Sequence, residues 1–274
     1  MYKPISMSEF KDKVIVITGG SDGIGKALVE QFLALGAKVA TCGRSQDKLH
    51  LLTAQHPGAS LFLKGVDVSK EQECEQFIAD VIATWGQIDV LINNAGISMR
   101  ALITETTTDT LKQVMDINFW GTVYTTKAAL PAILKQKGVI VGVSSIAGYR
   151  GLPGRSGYSA SKYALNGWLE AIKTELLHTG THVMWVCPGF TSSNIRNAAL
   201  NKDAKAQGES PMDEGAMMSS EECAGHIIHA IQKRKRTLVL TFTGKRAVFM
   251  NKFFPGLADK LTFNFFFKNG QLIK

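Results

Sequence analysis

Residues 13–25 read KVIVITGGSDGIG, and this stretch decides the fold. Its first six residues form an apolar, β-branched run that predicts a buried strand, and the spacing that follows predicts a helix over Lys26–Leu35. The turn between them contains Gly19, Ser21, Gly23, Ile24 and Gly25. Glycines here let the backbone approach a pyrophosphate, and the free N–H groups of the helix start point toward it. The stretch predicts a dinucleotide site with GxxxGxG spacing, where GxGxxG is commoner.

The rest of the chain continues this alternation of strands and helices. Further strands are predicted at Lys38–Cys42, Ser60–Val68, Asp89–Asn93, Gly138–Val143, His182–Cys187 and Thr237–Phe242. Further helices are predicted at Gln46–Gln55, Glu71–Trp85, Thr107–Gln136 (bent before Pro131), Ser156–Leu177 and Ser219–Gln232. Several strands are apolar at almost every position, as in a parallel sheet covered on both faces. We expect an α/β fold with a Rossmann-type doubly wound parallel sheet, built by residues 1–274 as a single domain.

Positive charge is concentrated near the carboxyl end of the chain. The formal net charge is +8, and residues 231–274 hold ten Lys or Arg and one acid, Asp259. The remainder is near neutral, so nucleic acid is not expected as a partner. The four cysteines have neither CxxC nor zinc-ligand spacing, which predicts buried thiols and no metal site. The polar start MYKPISMSEFKDK and the lack of a long apolar run favour a cytoplasmic location.

The end of the second strand indicates which dinucleotide binds. Gly43 stands where an NAD site usually has a carboxylate for the ribose 2′-hydroxyl, whereas Arg44 and Ser45 offer donors to a 2′-phosphate. The residues therefore favour NADP(H) over NAD(H). Two observations leave the choice open: Asp22 would repel the same phosphate, and Arg44 is also explained as a solvated loop charge.

Three residues in the middle of the chain are candidates for the chemistry. Ser145 follows the fifth strand, at the carboxyl edge where open α/β sheets bind ligands. Tyr158 and Lys162 are four residues apart on a predicted helix and share one face. A nearby ammonium lowers the pKa of a tyrosine from about 10, which makes it a usable acid or base. A solvated Tyr–Lys pair and a Ser-Ser turn are the structural alternatives, but their joint occurrence after the glycine-rich turn favours catalysis.

The ordered set of motifs resembles the classical short-chain dehydrogenase/reductase family. The matching motifs are Thr18–Gly25, Asn93-Asn94-Ala95-Gly96, Asn118, Ser145, Tyr158-Ser159-Ala160-Ser161-Lys162 and Pro188-Gly189. They span residues 18–189, and the four catalytic positions all keep the family pattern. The resemblance implies a Rossmann fold, a nicotinamide cofactor and hydride transfer between the cofactor and a carbonyl or alcohol carbon.

The resemblance also implies a role for each matching residue. Tyr158 exchanges a proton with the substrate, Ser145 orients its oxygen, and Lys162 binds the nicotinamide ribose and joins Asn118 in a proton relay. Further cofactor contacts are implied for Asp67, Val68, Asn94, Ala95, Gly96, Pro188, Gly189, Thr191 and Ser193. The helices of Asn118 and Tyr158 commonly build a dimer interface, so a homodimer or homotetramer is implied. Asp67 as a cap of the next helix, and Asn118 as a helix-kinking residue, remain the alternatives.

Residues 191–218 are polar and carry few structural signals. In the family this stretch is the mobile lid over the substrate, and long loops of this kind are often functional. Its alanines and methionines suit either an adaptable apolar wall or a helix without a direct role. The sequence does not separate these two interpretations.

Residues 244–274 form a basic tail that is rich in phenylalanine. Residues 244–267 hold seven of the fourteen phenylalanines, and Phe249, Phe253, Leu257 and Leu261 recur at every fourth position, which predicts one apolar helical face. Three interpretations remain open. The face packs against the body or a partner subunit, covers a lipophilic substrate, or docks on an anionic membrane surface with help from Lys233–Arg236.

The residues and the resemblance together predict an NADP(H)-dependent carbonyl reductase or alcohol dehydrogenase with a small-molecule substrate. The Thr18–Ser21 turn, the Arg44-Ser45 pair and the tail resemble steroid-type and 3-ketosphinganine-type reductases, which implies a hydrophobic ketone or secondary alcohol. Two other classes remain open. One is a non-catalytic NADP(H)-binding sensor or scaffold, and the other is a membrane-surface adaptor that uses the tail.

Overall fold

A seven-stranded parallel sheet forms the centre of the molecule in a computed structural model, which describes residues 7–273 apart from Pro211, Glu214 and Ala216. The strand order is β3-β2-β1-β4-β5-β6-β7. The strands are β1 Val14–Thr18, β2 Lys38–Gly43, β3 Leu61–Gly65, β4 Val90–Asn93, β5 Val139–Val143, β6 His182–Cys187 and β7 Thr237–Val239. The order reverses direction between β1 and β4, which opens a crevice at the carboxyl ends of these two strands.

Helices cover both faces of this sheet, as the apolar strands predict. The helices are α1 Met7–Phe10, α2 Gly23–Ala34, α3 Gln46–Gln55, α4 Glu71–Trp85, α5 Thr108–Met115, α6 Gly121–Gln136, α7 Ser156–Glu175, α8 Ser220–Gln232, α9 Phe242–Phe253 and α10 Pro255–Phe266. After α10 the chain forms a short antiparallel hairpin of β8 Phe267–Lys268 and β9 Gln271–Leu272. The predicted α/β doubly wound fold is confirmed.

The sheet separates two apolar cores. On one face, α2 and α8 bury Leu28, Phe32 and Ile227 against the strands. On the other face, α4, α6 and α7 bury a second set that includes Phe77 and Leu169. Each large apolar side chain that is fully buried contributes roughly 1.5–3 kcal/mol to folding. Strands β1, β4 and β5 are buried at every position, so the carboxyl edge of the sheet rests on a rigid support.

The helix predicted over Thr107–Gln136 consists of three segments. A π-helical turn, Asp116–Trp120, separates α5 from α6. The interruption lies at this π turn and not before Pro131, where we expected a bend, because α6 continues through that proline. A π turn inserts one extra residue and often marks a functional position. Here it contains Asn118, which is fully buried.

The start of the carboxyl-terminal tail corrects a predicted boundary. The seventh strand ends at Val239, where we expected it to reach Phe242, because Thr241 has a positive φ of 63° and its hydroxyl caps α9 by accepting from Gly244 N. Pro255 then begins α10, since proline lacks the N–H that a continuous helix would need. The predicted single apolar face is therefore divided between two helices.

One side of the tail packs against the body of the protein. Asn251 Nδ2 donates to the Tyr149 carbonyl at 2.7 Å, and Arg150 donates to Asn251 Oδ1 at 2.9 Å and to Asp259 Oδ1 at 2.8 Å. Phe265 stacks on Phe190 with ring centroids 6.1 Å apart. Packing against the body is thus confirmed for this inner side.

The outer side of the tail leaves large apolar side chains exposed. Among the described residues of the tail, the large apolar side chains that are at least two-fifths exposed are Phe249, Phe253, Phe254, Leu257, Leu261 and Phe263. None of the described helices combines the length and the apolar character that a bilayer-crossing segment needs. The four cysteines are buried free thiols, as expected.

Candidate active site

The glycine-rich turn joins β1 to the start of α2 in a tightly packed conformation. Gly19 and Gly23 have positive φ values of 70° and 52°. Asp22 caps α2 by accepting from Gly23 N at 2.8 Å. Asn94 Nδ2 donates to the carbonyls of Thr18 and Gly19 at 3.0 and 3.1 Å, so the loop after β4 holds the turn in place. The N–H groups of the first turn of α2 are thereby fixed at the crevice, where they suit a phosphate.

Gly25 is a position in this turn where an added side chain would collide with the backbone. A Cβ atom there would lie 2.2 Å from the Gly19 carbonyl oxygen and 2.4 Å from Asn94 Nδ2. We expect Gly25→Ala to lower the free energy of unfolding by roughly 1–3 kcal/mol and to weaken dinucleotide binding, because backbone atoms must move to admit the methyl group. Urea unfolding and a fluorescence titration with NADPH measure the two effects.

Gly167 provides the matched control for this substitution. It lies inside α7, and a Cβ there meets nothing within 4 Å. Gly167→Ala should raise stability by about 0.5–1 kcal/mol and leave dinucleotide binding unchanged, because it only restricts the unfolded chain. If both variants had the same free energy of unfolding and bound NADPH equally well, the close contacts at Gly25 would affect neither stability nor binding.

A cavity of about 410 Å³ lies along the carboxyl edge of the sheet. Every residue predicted to contact the cofactor lines it. These are Gly19, Ser21, Gly23, Ile24, Gly25, Arg44, Ser45, Asp67, Val68, Asn94, Ala95, Gly96, Tyr158, Lys162, Pro188, Gly189, Thr191 and Ser193. The structure thus brings together residues that the sequence spreads over 175 positions, from Gly19 to Ser193. The volume and the concave shape suit a small-molecule ligand.

The end of the cavity beside β2 is lined by cations. Arg44 and Lys48 both face it, and Lys48 was not identified from the sequence. Lys48 forms a close ion pair with the Asp22 carboxylate. The expected repulsion of a 2′-phosphate by Asp22 is therefore opposed by an adjacent ammonium. Ser45 caps α3 by accepting from Lys48 N at 3.4 Å, which fixes the backbone between these two cations.

Asp67 also lies on this side of the cavity. Its Oδ1 accepts from Ser69 N at 3.0 Å and from the Ser69 hydroxyl at 2.8 Å, which makes a local turn. The following helix, α4, is preceded by Lys70, which makes no side-chain cap. The alternative that Asp67 caps the next helix is therefore wrong.

Ser145, Tyr158 and Lys162 meet at the opposite end of the cavity. Ser145 starts a short 3₁₀ turn after β5, and its Oγ accepts from Ala147 N at 3.1 Å. Tyr158 and Lys162 lie on successive turns of α7, with the Lys162 Nζ 5.7 Å from the centroid of the Tyr158 ring. Lys162 Nζ donates to the Val143 carbonyl at 2.9 Å and is only 4% exposed. All three side chains line the cavity, so a substrate carbonyl can reach them together with the cofactor.

Burial dominates the titration of this group of residues. It lowers the pKa of Lys162 to about 8. It also raises the pKa of Tyr158, while a hydrogen bond with Ser145 and the charges of Arg155 and Arg196 act in the opposite direction. The spacing pointed to Lys162 as the cation that lowers the pKa of Tyr158, and the structure adds two arginines that act in this direction.

Asn118 lies behind the cavity wall. Its amide Nδ2 donates to the Ile97 carbonyl and to the Ser161 hydroxyl at 2.9 Å, and its Oδ1 accepts from Ile97 N at 2.8 Å. A Cβ built on Gly96 would be 3.1 Å from Asn118 Oδ1 and 3.6 Å from Lys162 Nζ, so both side chains approach the same glycine. Asn118 does not line the cavity itself. It does occupy the irregular π turn, which agrees with the alternative that it distorts the helix.

Several residues at the substrate end were missed by the sequence analysis. Leu152, Arg155, Phe190, Ile195 and Arg196 all line the cavity. A signal existed for Arg155, because it directly precedes α7, the helix that carries Tyr158. The others lie on irregular loops, where spacing carries no information about direction.

Part of the stretch 191–218, which the family resemblance predicts to be a lid, lines this end of the cavity. Thr191 pairs with Met218 at the base, and Leu200 pairs with Met99 of the body. The residues of this stretch that the structure describes form turns and bridges with no α-helix, which excludes a helical role for its alanines and methionines there. Ala198 lines the cavity, whereas Met218 packs against the core beside α2 and α8.

Comparison with known proteins identifies the family. The sequence pattern of the family described as short chain dehydrogenase matches residues 13–204. The chain belongs to this family. The mouse protein "Dehydrogenase/reductase SDR family member 7B" is 34% identical over 260 residues, which cover 92% of this chain and 80% of the mouse protein.

Solved structures agree with the fold. A short-chain dehydrogenase from Streptomyces avermitilis has a TM-score of 0.78 and 27% identity, and the match covers 92% of this chain and 96% of the other. A short chain dehydrogenase/reductase from Burkholderia phymatum in complex with NAD has a TM-score of 0.80 and 23% identity over 91% and 96% of the chains. This short chain dehydrogenase is therefore an oxidoreductase with an NAD(P)-binding fold.

Proposed function

We propose that this short chain dehydrogenase is an NADP(H)-dependent carbonyl reductase or alcohol dehydrogenase whose active site consists of Asn118, Ser145, Tyr158 and Lys162. The observation that carries the proposal is that Ser145, Tyr158 and Lys162 converge in one cavity with all the residues assigned to the dinucleotide. A non-catalytic NADP(H)-binding protein would not need these three side chains at the end of its cofactor cleft. Turnover of ketones with NADPH, and its loss in a Tyr158 variant, tests the proposal.

A nicotinamide cofactor bound in this cavity would supply or accept the hydride. Ser145 holds the substrate oxygen through its hydroxyl, and Tyr158 donates a proton to that oxygen during reduction or removes one during oxidation. Lys162 donates to the Val143 carbonyl and lines the same cavity, which supports its proposed role in binding the nicotinamide ribose. Asn118 fixes the backbone of Ile97 and approaches Gly96 as Lys162 does, which supports a role for Asn118 in a proton path from Lys162.

The preference for NADP(H) rests on the cations beside β2. Arg44 can present a guanidinium to a 2′-phosphate, and Lys48 both opposes the charge of Asp22 and lines the cavity. Gly43 leaves no side chain to bind a 2′-hydroxyl, and a Cβ there would lie 2.9 Å from Ser21 Oγ. The combination fits a phosphorylated ribose better than an unphosphorylated one.

Replacing Arg44 tests this preference directly. We expect Arg44→Ala to raise the Kd for NADPH by about 10- to 100-fold, because a charge-assisted contact to phosphate is lost, with little change for NADH. Fluorescence titration of both dinucleotides measures the ratio. The control is Arg236→Ala, which removes the same charge at a site paired with Glu170 outside the cavity. Equal binding of the two dinucleotides by the unaltered protein would contradict the assignment.

The substrate end of the cavity favours a ketone or secondary alcohol with a hydrophobic portion. Ile97, Leu152, Phe190 and Ile195 form its apolar lining. Phe190 is supported from behind by Phe265 of the tail, so the tail helps to form the wall. This supports a role of the tail next to the substrate, in addition to its packing on the body.

We also propose that this protein is cytoplasmic and forms a homodimer or homotetramer, whose subunits contact one another through α5, α6 and α7. Trp120, in the π turn between α5 and α6, and Tyr163, on α7, are exposed by 43% and 45%, and Trp120 stacks on Tyr124. Exposed aromatic side chains of this kind are enriched at protein interfaces. Light scattering of the purified protein, compared with Trp120→Glu, tests the interface.

The outer side of the tail supports a peripheral contact with an anionic membrane surface. Phe249 lies 4.8 Å from Phe253 and 6.3 Å from Phe254 between ring centroids, and all three are more than half exposed. Lys252 lies 5.4 Å from the Phe253 ring, in a segment that is basic overall. Aromatic groups that insert at the interface, together with cations worth about 1 kcal/mol each, suit this surface.

Vesicle flotation tests the membrane contact. We expect binding to vesicles of phosphatidylglycerol and phosphatidylcholine, weaker binding to phosphatidylcholine alone, and an about tenfold or greater loss in the double variant Phe253→Ser, Phe254→Ser. Leu51→Ser is the control, because Leu51 is also exposed but lies on α3. Point substitutions are preferable to removing the tail, since its inner side packs on the body. No flotation of the unaltered protein would exclude the contact.

A further inference from the structure

A second cavity lies beside the active site, between the carboxyl-terminal helix α10 and the loop that leads into α7. Its volume is about 450 Å³, close to the 410 Å³ of the active-site cavity. One wall is formed by Asp259, Thr262 and Phe263 of α10, and the other by residues 150–153 together with the start of α7. We call this space the tail groove, because one of its walls belongs to the tail.

Leu152 connects the tail groove with the active site. It lines both cavities, so the two spaces are neighbours that share this residue. Its backbone N–H donates to the Ser159 hydroxyl at 3.1 Å, and Ser159 follows Tyr158 directly on α7. The shared wall is therefore fixed next to the proposed proton donor. For a substrate whose carbonyl lies at Tyr158, the tail groove is an adjoining space.

The tail is attached to both loops at the substrate end of the active site. Arg150 donates to Asn251 Oδ1 of α9 at 2.9 Å and to Asp259 Oδ1 of α10 at 2.8 Å. Phe265 of α10 stacks on Phe190, which lines the active-site cavity. These contacts involve separate positions along the tail, so they hold α10 at a fixed distance from the loop and give the tail groove a defined shape.

The lining of the tail groove suits an uncharged, apolar ligand. The charged residues in its walls, Arg150 and Asp259, form an ion pair with each other at 2.8 Å, so their charges offset one another. Leu152, Pro153 and Phe263 supply apolar surface, and the Phe263 side chain is 54% exposed. Exposed apolar surface within a groove often marks a ligand site. A linear alkyl chain is narrow enough to pass a single side chain such as Leu152, whereas a ring system needs a wider opening.

We propose that the tail groove is a second binding site, which holds a linear alkyl chain of the substrate while the carbonyl lies at Tyr158. The inference rests on the proposed carbonyl reductase function and adds the substrate class, a long-chain ketone or the corresponding secondary alcohol. Leu152 is the specificity-determining residue at the passage between the two cavities. A chain that passes it exchanges water for the apolar surface of Pro153 and Phe263, and each buried methylene group strengthens binding by up to about fourfold.

Three uncharged ketones test this substrate class. Methyl butyl ketone supplies a short chain and methyl decyl ketone a long one, whereas cyclododecanone has as many carbon atoms as methyl decyl ketone but arranges them in a ring. With NADPH saturating, we expect kcat/KM for methyl decyl ketone to exceed the values for the other two ketones at least about tenfold, because only its chain reaches the tail groove.

Substitutions that fill the tail groove assign this effect to it. Thr262→Trp acts from α10 and Ser156→Phe from the start of α7, and neither residue lines the active-site cavity. Each should lower kcat/KM for methyl decyl ketone at least about tenfold, while kcat/KM for methyl butyl ketone and the Kd for NADPH change less than about threefold. Lys260→Trp is the matched control, because Lys260 is exposed on α10 and does not line the tail groove. The thermal midpoint identifies a variant that fails to fold, and the other variant then decides.

Leu152→Ala tests the passage between the two cavities. The smaller side chain widens the opening, so cyclododecanone should gain at least about threefold in kcat/KM relative to methyl decyl ketone. The Kd for NADPH serves as the control for the dinucleotide end of the active site. An unchanged ratio of the two ketones would show that Leu152 does not determine specificity.

A binding measurement separates this inference from the proposed function. Calorimetric titration of methyl decyl ketone into the NADPH complex of Tyr158→Phe needs no turnover, and adding Thr262→Trp to that variant should weaken binding at least about tenfold. This loss of binding, in a protein whose unaltered form reduces no ketone, would support the alkyl-chain site and overturn the reductase function. Equal kcat/KM for the three ketones, or groove-filling variants that affect long and short chains alike, would overturn the alkyl-chain site and leave the reductase function standing.

Discussion

Tyr158→Phe is expected to lower kcat by about 100- to 10 000-fold, the usual contribution of a positioned general acid or base. The phenylalanine ring keeps the packing of the tyrosine on α7 and removes only the hydroxyl that reaches Ser145. The Kd for NADPH should therefore stay within about twofold of its original value. Steady-state oxidation of NADPH in the presence of ketones, with a parallel fluorescence titration, measures both quantities.

Tyr163 provides the control for this substitution. It lies on the same helix, is 45% exposed, and its hydroxyl donates to the Tyr149 carbonyl outside the cavity. Tyr163→Phe should keep full turnover. If Tyr158→Phe also kept turnover, the proton would come from another group and the proposed mechanism would be wrong. A loss of NADPH binding in Tyr158→Phe would instead indicate a structural defect.

Lys162→Met should have opposite effects on activity and on stability. Methionine has a similar length and is apolar, so it suits the buried position but cannot donate to the Val143 carbonyl or supply protons. We expect kcat to fall at least about 100-fold, because both cofactor positioning and the recharging of Tyr158 are lost. The Kd for NADPH should rise as well, which distinguishes this variant from Tyr158→Phe.

The stability effect follows from the lowered pKa of Lys162. Its pKa is about 8 in the folded protein, whereas that of an unperturbed lysine is 10.5. Below about pH 8 the amine is charged in both states, so burying the charge costs about 3 kcal/mol; above the unfolded pKa this cost disappears. Loss of the hydrogen bond to Val143 offsets about 1 kcal/mol of the gain. Lys162→Met should thus be more stable at neutral pH by roughly 1–3 kcal/mol.

Urea unfolding at neutral pH and at about pH 10 measures this effect. The unaltered protein should gain stability relative to Lys162→Met as the pH rises from about 8 towards 10.5, since its penalty is lost over that range. The tyrosines and cysteines titrate in both proteins, so their contribution cancels in the difference between the two free energies of unfolding. If Lys162→Met were less stable than the unaltered protein at neutral pH, and the stabilities of both depended on pH in the same way, the contacts of the Lys162 ammonium would stabilise the fold by more than its burial costs.

The parts of the site that the sequence predicted correctly are those that local geometry fixes. The glycine-rich turn follows a strand and precedes a helix, so its position at the carboxyl edge needs no knowledge of the rest of the chain. Tyr158 and Lys162 share a helix face because of their spacing. The residues placed at the cofactor by family resemblance also line the cavity. Their individual roles in binding and catalysis stay predictions.

The parts that the sequence could not supply depend on contacts between distant segments. Lys48 forms an ion pair with Asp22, which lies 26 positions earlier in the chain. The ammonium offsets the negative charge that this carboxylate would present to a 2′-phosphate. The tail folds back on Tyr149 and Arg150 over about 100 positions, as the bond between Asn251 and Tyr149 shows. Nothing in the spacing of either segment indicates which partner it meets.

The sequence by itself determined the doubly wound fold, the dinucleotide cleft and the Ser145, Tyr158 and Lys162 constellation, because hydrophobic period, glycine turns and helix spacing act over a few residues. Only the tertiary structure decided that burial raises the pKa of Tyr158 and that Arg155 and Arg196 oppose this effect. Burial and the charges that reach a site are set by every segment that packs around it, and a linear sequence does not contain those distances.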